Sequence, residues 1–256
     1  MMTFINSFQS EWLKKKRSLA SWLVIVGAFF TPVIIIFARM IRYEQLPKVY
    51  SVNKFWEGLW VNSWQSMAIF MLPVGITLAM SLITQLEFKN NTWKQLHTTP
   101  QSLTIIYFSK LGVTLVMMVQ FFILFNIGIY LSGVVPYLFF SVPYPKDPIP
   151  FRNFLEENLL YFVDCLPVIT LQYLISLKFK NFLVGIGAGF VLWIVAMASL
   201  SWKYGHLIPY THTMLHYLKV SGRYNRPINT QLIALIYGTV FLLIGYVMYV
   251  FKKDKS

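Results

Sequence analysis

Long stretches without a charged residue constrain this chain of 256 residues more than any other feature. Five such stretches are 21 to 35 residues long, and a sixth is broken only by Asp164. A helix needs about 20 apolar residues to cross the hydrocarbon core of a bilayer. The sequence therefore predicts an all-α polytopic membrane protein, one domain over residues 1–256, with six transmembrane helices within 18–38, 58–86, 111–145, 151–177, 181–202 and 227–251.

Composition agrees with this fold class and indicates which kind of partner the chain binds. The chain is 57% hydrophobic and only 12% charged, about half the charged content of soluble domains. Its net charge of +13 lies at the ends of the apolar stretches, which favours anionic lipid headgroups over nucleic acid. A single cysteine, Cys165, excludes an intrachain disulfide. Membrane lipid is thus a predicted partner, and nucleic acid is not.

The stretch 111–145 is too long for one span and too short for two. It predicts one span to about Gly133, followed by an apolar loop punctuated by the prolines from Pro136 to Pro150. Later in the chain, the polar loop 203–226 contains Pro209–Val220, which predicts a surface or re-entrant helix.

Residues spaced four apart predict how two of the spans pack. Trp56, Trp60 and Trp64 fall on one helical face and predict an anchor at the membrane surface, where aromatic side chains gather. Gly185 and Gly189 predict close approach of a neighbouring backbone, because neither has a side chain.

The polar segment Gln85–Lys110 joins the second and third apolar stretches. Charged residues such as Glu87 and Lys94 exclude it from the lipid core. Asn90-Asn91-Thr92 favours a helix start, and Pro100 limits the helix that follows. The residues alone predict a short surface helix or an ordinary solvated hairpin tip.

This segment resembles the loop after the second membrane helix of ABC type-2 transporter permeases. The family pattern has a glutamate, Gly-Thr-Trp, a leucine-rich stretch, a proline and a downstream lysine. Asparagine replaces the glycine here, a mild departure, since asparagine also tolerates a left-handed backbone. The matching positions are Glu87, Asn91, Thr92, Trp93, Leu96, Pro100 and Lys110.

The resemblance implies that the segment is a cytoplasmic coupling helix seated in a cleft of a separate ABC ATPase subunit. ATP and Mg²⁺ would then bind to that partner, and no cofactor is expected in this chain, which lacks the G-x-x-x-x-G-K-[ST] phosphate loop. It further implies a non-enzymatic permease subunit, a second permease copy or a sibling permease, and an exporter in the bacterial cytoplasmic membrane.

The N-terminal segment is amphipathic. Aromatic residues recur at helical spacing at Phe4, Phe8 and Trp12, and a basic cluster follows them. This pattern favours a helix that lies in the membrane interface, although a plain positive flank of the first span is an equal alternative. The resemblance favours an interfacial elbow helix, whose basic residues are Lys14, Lys15, Lys16 and Arg17.

Six spans place both termini on one side of the membrane. If that side is the cytoplasm, the inner segments hold 12 of the 22 lysines and arginines and the outer segments hold 10. The excess is small, but the clusters at both termini and the short Lys178–Lys180 turn favour cytoplasmic termini.

A second function class depends on histidines. His206, His212 and His216 cluster in the last polar loop, and His212 and His216 lie one helical turn apart. With Asp164 they could form the site of a membrane enzyme or a metal-handling protein, although surface histidines are the ordinary interpretation. Asp164 is the only acid within an apolar stretch, so it predicts either a transport-pathway residue or a side chain at interface depth.

Overall fold

A computed structural model describes residues 2–16, 18–89, 102–140, 142–179 and 181–251, with the backbone alone for residues 2, 3 and 85–89. All regular elements in this part of the chain are helical, and six helices in it are long and apolar enough to cross a membrane. The predicted all-α, six-span fold class is confirmed.

Ten α-helices make up the described part of the fold. The spans are α2, α4 with α5, α6, α7, α8 and α10, whereas α1, α3 and α9 are not spans. The bounds are α1 Met2–Lys15, α2 Leu19–Ile41, α3 Leu46–Tyr50, α4 Phe55–Ser66, α5 Leu72–Lys89, α6 Leu103–Phe139, α7 Phe151–Lys178, α8 Phe182–Ser199, α9 His212–Val220 and α10 Thr230–Val250.

Two helix pairs build the bundle, and α5 joins them. The first pair is α2 with α6 and the second is α7 with α10, while α5 contacts α2, α7 and α8. The outward faces of the spans remain apolar, as shown by Trp22 on α2, which is 61% exposed. Such faces suit lipid, which solvates apolar side chains but offers nothing to an unpaired backbone group.

The second span is interrupted by a π-helical segment at Met67–Met71. The cause lies in Pro73, which has no N–H to donate to the carbonyls of Ile69 and Ala68, four and five residues earlier, respectively. Side chains from elsewhere replace the missing donor. Thr213 Oγ1 donates to the Ala68 carbonyl and Trp193 Nε1 to the Ile69 carbonyl, each at 2.9 Å. Helices α8 and α9 are thereby tied to the middle of this span.

The tryptophan stripe is buried, so the predicted membrane-surface anchor is wrong. Trp56, Trp60 and Trp64 are at most 2% exposed. Trp64 stacks on Tyr161 with ring centroids 3.7 Å apart, and Trp60 stacks on Phe154 at 5.2 Å. The spacing correctly placed the three rings on one face, but that face packs against α6 and α7 rather than headgroups.

The third span extends beyond both predicted bounds. Helix α6 begins at Leu103 and continues to Phe139, through Pro136, where a loop was predicted. Proline at this position leaves the Ser132 carbonyl without its usual N–H donor. Arg39 Nη1 donates to that carbonyl at 2.7 Å, so the helix continues with no unsatisfied backbone group there.

The Gly185–Gly189 prediction of close packing is confirmed. A Cβ at Gly185 would lie 2.9 Å from Ser81 Oγ, and one at Gly189 would lie 2.6 Å from Thr77 Oγ1. Helix α8 therefore approaches α5 at a distance that only glycine permits.

We expect Gly189→Ala to lower the free energy of unfolding by about 1–3 kcal/mol, since overpacking costs that much in tight interiors. Gly187 on the same helix is the matched control, because a Cβ there would meet nothing within 4 Å. Gly187→Ala should be neutral or slightly stabilising, as alanine is the better helix former. Thermal unfolding of the detergent-purified variants measures both, and equal melting temperatures would contradict the prediction.

Candidate functional site

A buried polar cluster joins three helices around His216 on α9. His216 Nε2 lies 2.8 Å from Glu157 Oε2, and its Nδ1 lies 3.1 Å from Asp164 Oδ2. Gln231 of α10 places its Nε2 2.8 Å from His216 Nδ1 and 3.3 Å from Asp164 Oδ2. The cluster thus brings one imidazole, two carboxyl groups and one amide into a single hydrogen-bonded set, which we call the His216 cluster.

Helical geometry explains why these side chains meet. Glu157 and Asp164 are seven residues apart on α7, so two turns place them on one face. His216 is 3% exposed and Asp164 is fully buried, whereas the Glu157 side chain is 32% exposed. The cluster therefore runs from a partly open end at Glu157 to a closed end at Asp164.

The pKa values of the two histidines of α9 are shifted in opposite directions. Burial lowers the pKa of His216, but the hydrogen bonds and charges of Asp164 and Glu157 outweigh burial and raise that pKa above its usual value. Burial lowers the pKa of His212, and the hydrogen bond of its Nε2 to the His206 carbonyl at 2.9 Å does not reverse the shift. Near neutral pH, His216 is thus the residue of this pair that favours the charged form.

An aromatic shell closes the cluster on the side of α4. The Tyr161 ring lies edge-on to His216 with centroids 4.2 Å apart, and it also stacks on Trp64 and contacts the ring of Trp60. Because Tyr161 sits between Glu157 and Asp164 on α7, the tryptophan stripe supports the same face that carries both carboxyl groups.

The histidine set predicted from the sequence is brought together only in part. His216 and Asp164 share a direct side-chain contact, whereas His206 meets His212 through its backbone oxygen. Among the described residues, no group of three or more His, Cys, Asp or Glu side chains is placed to hold a metal ion.

Sequence reasoning missed Glu157 and Gln231. The spacing of seven between Glu157 and Asp164 was a usable signal, because both acids then share a helix face. Gln231 gave no signal, since it lies 67 residues after Asp164 and an amide at a helix start is common. Asp164 is fully buried against α9 and α10, which explains how an acid is accommodated in this span; its role in a transport pathway stays a prediction.

A second polar layer lies between α5, α7 and α8. Gln172 Nε2 donates to the Gly185 carbonyl at 2.7 Å and to Ser81 Oγ at 3.2 Å. Its Oε1 accepts from Tyr210 OH at 3.2 Å, and that hydroxyl also lies 3.1 Å from Thr77 Oγ1. Burial raises the pKa of Tyr210 to about 12, so the layer stays uncharged. It fixes the turn before α9 to the bundle.

The predicted coupling segment lies between two described helices. Helix α5 ends at Lys89 and α6 begins at Leu103. The backbone of Glu87 is helical, and Lys110 is 2% exposed on α6. The remaining predicted coupling residues lie outside the described part of the chain: Asn91, Thr92, Trp93, Leu96 and Pro100. Their role stays a prediction.

Helix α1 lies along α6 with its polar residues turned inward. Ser7, Glu11 and Lys15 are each less than 10% exposed, and Lys15 Nζ lies 3.3 Å from Gln120 Oε1. Burial lowers the pKa of Lys15, whose ammonium also lies 3.8 Å from the centre of the Trp12 ring.

The apolar side chains of α1 divide between lipid and the bundle, and Phe8 lies against α6, where a Cβ at Gly112 would be 3.4 Å from its ring. Phe4 is 41% exposed and Leu13 is 65% exposed, while Phe8 and Trp12 are half-buried and stack on each other. The exposed apolar residues Phe4 and Leu13 suit a helix that lies against lipid. The elbow role stays a prediction, and Arg17 lies outside the described residues.

Comparison with known families gives one match. A family model described as "ABC-2 family transporter protein" matches residues 7–196. Searches of curated proteins and of solved structures gave no match. The matched range runs from α1 into α8 and includes Glu157 and Asp164, but it ends before α9 and α10, which supply His216 and Gln231.

Proposed function

The chain belongs to the ABC-2 family of transporter permeases, and from this premise we propose that it is the membrane subunit of an ATP-driven exporter. The family match over residues 7–196, together with six apolar helices, carries the proposal. ATP and Mg²⁺ bind to a separate ATPase subunit, and a second copy or a sibling permease completes the substrate path. The site of action is the bacterial cytoplasmic membrane with both termini in the cytoplasm.

The connections of α6 support the proposed route from ATPase to bundle. Tyr107, one turn into α6, donates its hydroxyl to the Leu242 carbonyl of α10 at 2.9 Å. Tyr173 of α7 donates to the Tyr107 carbonyl at 3.1 Å, and Thr104 and Tyr246 are hydrogen-bonded at 2.9 Å. A displacement of residues 90–101 is thus passed directly to α7 and α10.

Helix α5 provides the second route. It runs from the π-helical interruption at Met67–Met71 to the start of residues 90–101, and it contacts α2, α7 and α8 on the way. ATP binding can drive transport only if the ATPase binds one arrangement of these helices more tightly than the other. Aromatic side chains dominate the energy of such interfaces, so Trp93 is the proposed buried anchor and Glu87 its polar neighbour.

We expect Trp93→Ala to weaken association with the ATPase by about 2 kcal/mol, or roughly 30-fold, the usual effect at an interface hot spot. Glu87→Ala should weaken it less. Association is measured by co-purification of the ATPase from native membranes with the tagged permease, and coupling is measured as permease-stimulated ATP hydrolysis.

Trp22→Ala is the control, because Trp22 is exposed on the lipid-facing side of α2 and should leave both measurements unchanged. Melting temperatures must match wild type in all three variants. Wild-type co-purification and ATPase stimulation in Trp93→Ala would refute the coupling proposal while leaving the family assignment intact.

A further inference from the structure

The hydrogen bonds around His216 satisfy two protonation states of its ring. In the neutral ring, Nδ1 accepts from Gln231 Nε2 at 2.8 Å; in the charged ring, Nδ1 donates to Asp164 Oδ2 at 3.1 Å, and the Gln231 N–H₂ group turns away from Nδ1 because two donors cannot face each other. Nε2 donates to Glu157 Oε2 at 2.8 Å in both states. The second N–H of the Gln231 amide reaches Asp164 Oδ2 at 3.3 Å, so that oxygen keeps a donor when the ring is neutral.

We propose that the His216 cluster is a reversible proton-binding site, and that proton uptake strengthens the docking of α9 on α7 and α10. The charged ring makes charge-assisted hydrogen bonds to two carboxylates, which are stronger than the bonds of the neutral ring. The proposal concerns this chain by itself and does not depend on what the permease transports or on the ATPase.

His216 is the ring near α9 that contacts both carboxyl groups of the cluster, which makes it the proposed group that takes up a proton near neutral pH. Tyrosine and cysteine side chains ordinarily stay neutral there. The lowered pKa of His212 keeps it neutral, and Glu57 of α4 is paired with Lys54 at 3.3 Å. The π-helical segment carries no titratable group. The remaining titratable residues on elements packed against α9 are Arg152, Glu156, Tyr161, Cys165, Tyr173 and Lys178 on α7, His206 and Tyr210 in the preceding turns, Tyr217 and Lys219 on α9, and Tyr237, Tyr246 and Tyr249 on α10.

Docking of α9 has a consequence for the second span. Thr213, three residues before His216 on α9, donates to the Ala68 carbonyl that Pro73 cannot satisfy. Loosening of α9 removes that donor and leaves the π-helical segment less constrained. Proton binding at His216 is thereby linked to the flexibility of the span that leads into the predicted coupling segment.

Cys165 is the chosen reporter, because it is the single cysteine of the chain, is fully buried and follows Asp164 on α7, so loosening of α9 from α7 is expected to expose it. The experiment measures the alkylation rate of Cys165 by N-ethylmaleimide in membranes containing the full-length chain, as a function of pH. Each rate is divided by the rate for the SDS-denatured protein at the same pH, which cancels the change in thiolate fraction. The ratio is the protection of Cys165 by the fold.

The direction in which the protection of Cys165 changes with pH follows from the raised pKa of His216. Protection should be greatest below about pH 6.5, the ordinary histidine value. Above that value it should fall by at most about tenfold per pH unit, the limit for one proton. It should level off once the docked ring is neutral, and His216→Gln should remove the pH dependence.

Neighbouring glutamates provide the matched control. Glu157→Gln removes a carboxylate from His216 and should shrink the pH-dependent change, whereas Glu156→Gln should leave it intact, because Glu156 is exposed and pairs with Arg152. If His216→Gln fails to reach the membrane, the comparison of Glu156→Gln with Glu157→Gln still tests the proposal. Protection that is constant with pH in the wild type, or equal profiles for Glu156→Gln and Glu157→Gln, would overturn the proposal.

Discussion

Replacing Trp64 with alanine should lower the free energy of unfolding by about 3–5 kcal/mol, the usual cost of deleting a buried large aromatic side chain. Trp64 is fully buried. It stacks on Tyr161 at 3.7 Å and meets the ring of Phe125 edge-on at 5.2 Å. Its removal leaves a cavity between α4, α6 and α7, next to the residue that supports the His216 cluster.

The matched control is Trp22→Ala, which removes the same side chain from a lipid-exposed position. Both variants are compared with wild type by thermal unfolding in detergent. Trp22→Ala should retain nearly the full melting temperature, and Trp64→Phe should lose less than Trp64→Ala, because it keeps an aromatic ring against Tyr161. Equal losses in Trp64→Ala and Trp22→Ala would show that the stripe contributes little to stability.

The six spans were predictable from the sequence because lipid permits few alternatives. A backbone in hydrocarbon must satisfy its own hydrogen bonds, so an apolar stretch of span length becomes a helix. The end of α6 was not predictable, since Pro136 normally stops a helix and its effect is offset by Arg39, 97 residues earlier. Local rules cannot supply a donor that comes from another span.

The His216 cluster was predictable by residue type but not by arrangement. An acid within a span and two histidines at helical spacing drew attention to Asp164, His212 and His216. Which histidine would meet the acid depends on how α9 folds back onto α7, and this packing leaves no trace in the local pattern. The same limit explains the tryptophan stripe, because spacing defines a face and not the neighbour that covers it.

Asp164→Ala should destabilise the fold by about 3–5 kcal/mol, the usual cost of removing one partner from a buried charged pair. Asp164 is fully buried and bonds His216 and Gln231, so its loss leaves both without that acceptor. The effect should depend on pH. His216 has a raised pKa because of its carboxylate partners, so its contribution is complete at low pH and declines as the pH rises through that pKa.

The deficit of Asp164→Ala relative to wild type should therefore be larger near pH 6, which is below the ordinary histidine pKa of about 6.5, than near pH 9, which is well above that ordinary value. Asp164→Asn keeps the size and one acceptor oxygen and should lose less at both values. Glu156→Gln, which changes an exposed carboxylate on the same helix, should match wild type at both. Melting temperatures in detergent at the two pH values test this order. An Asp164→Ala deficit that is the same at both would mean that the aspartate acts by packing alone, without the charge of His216.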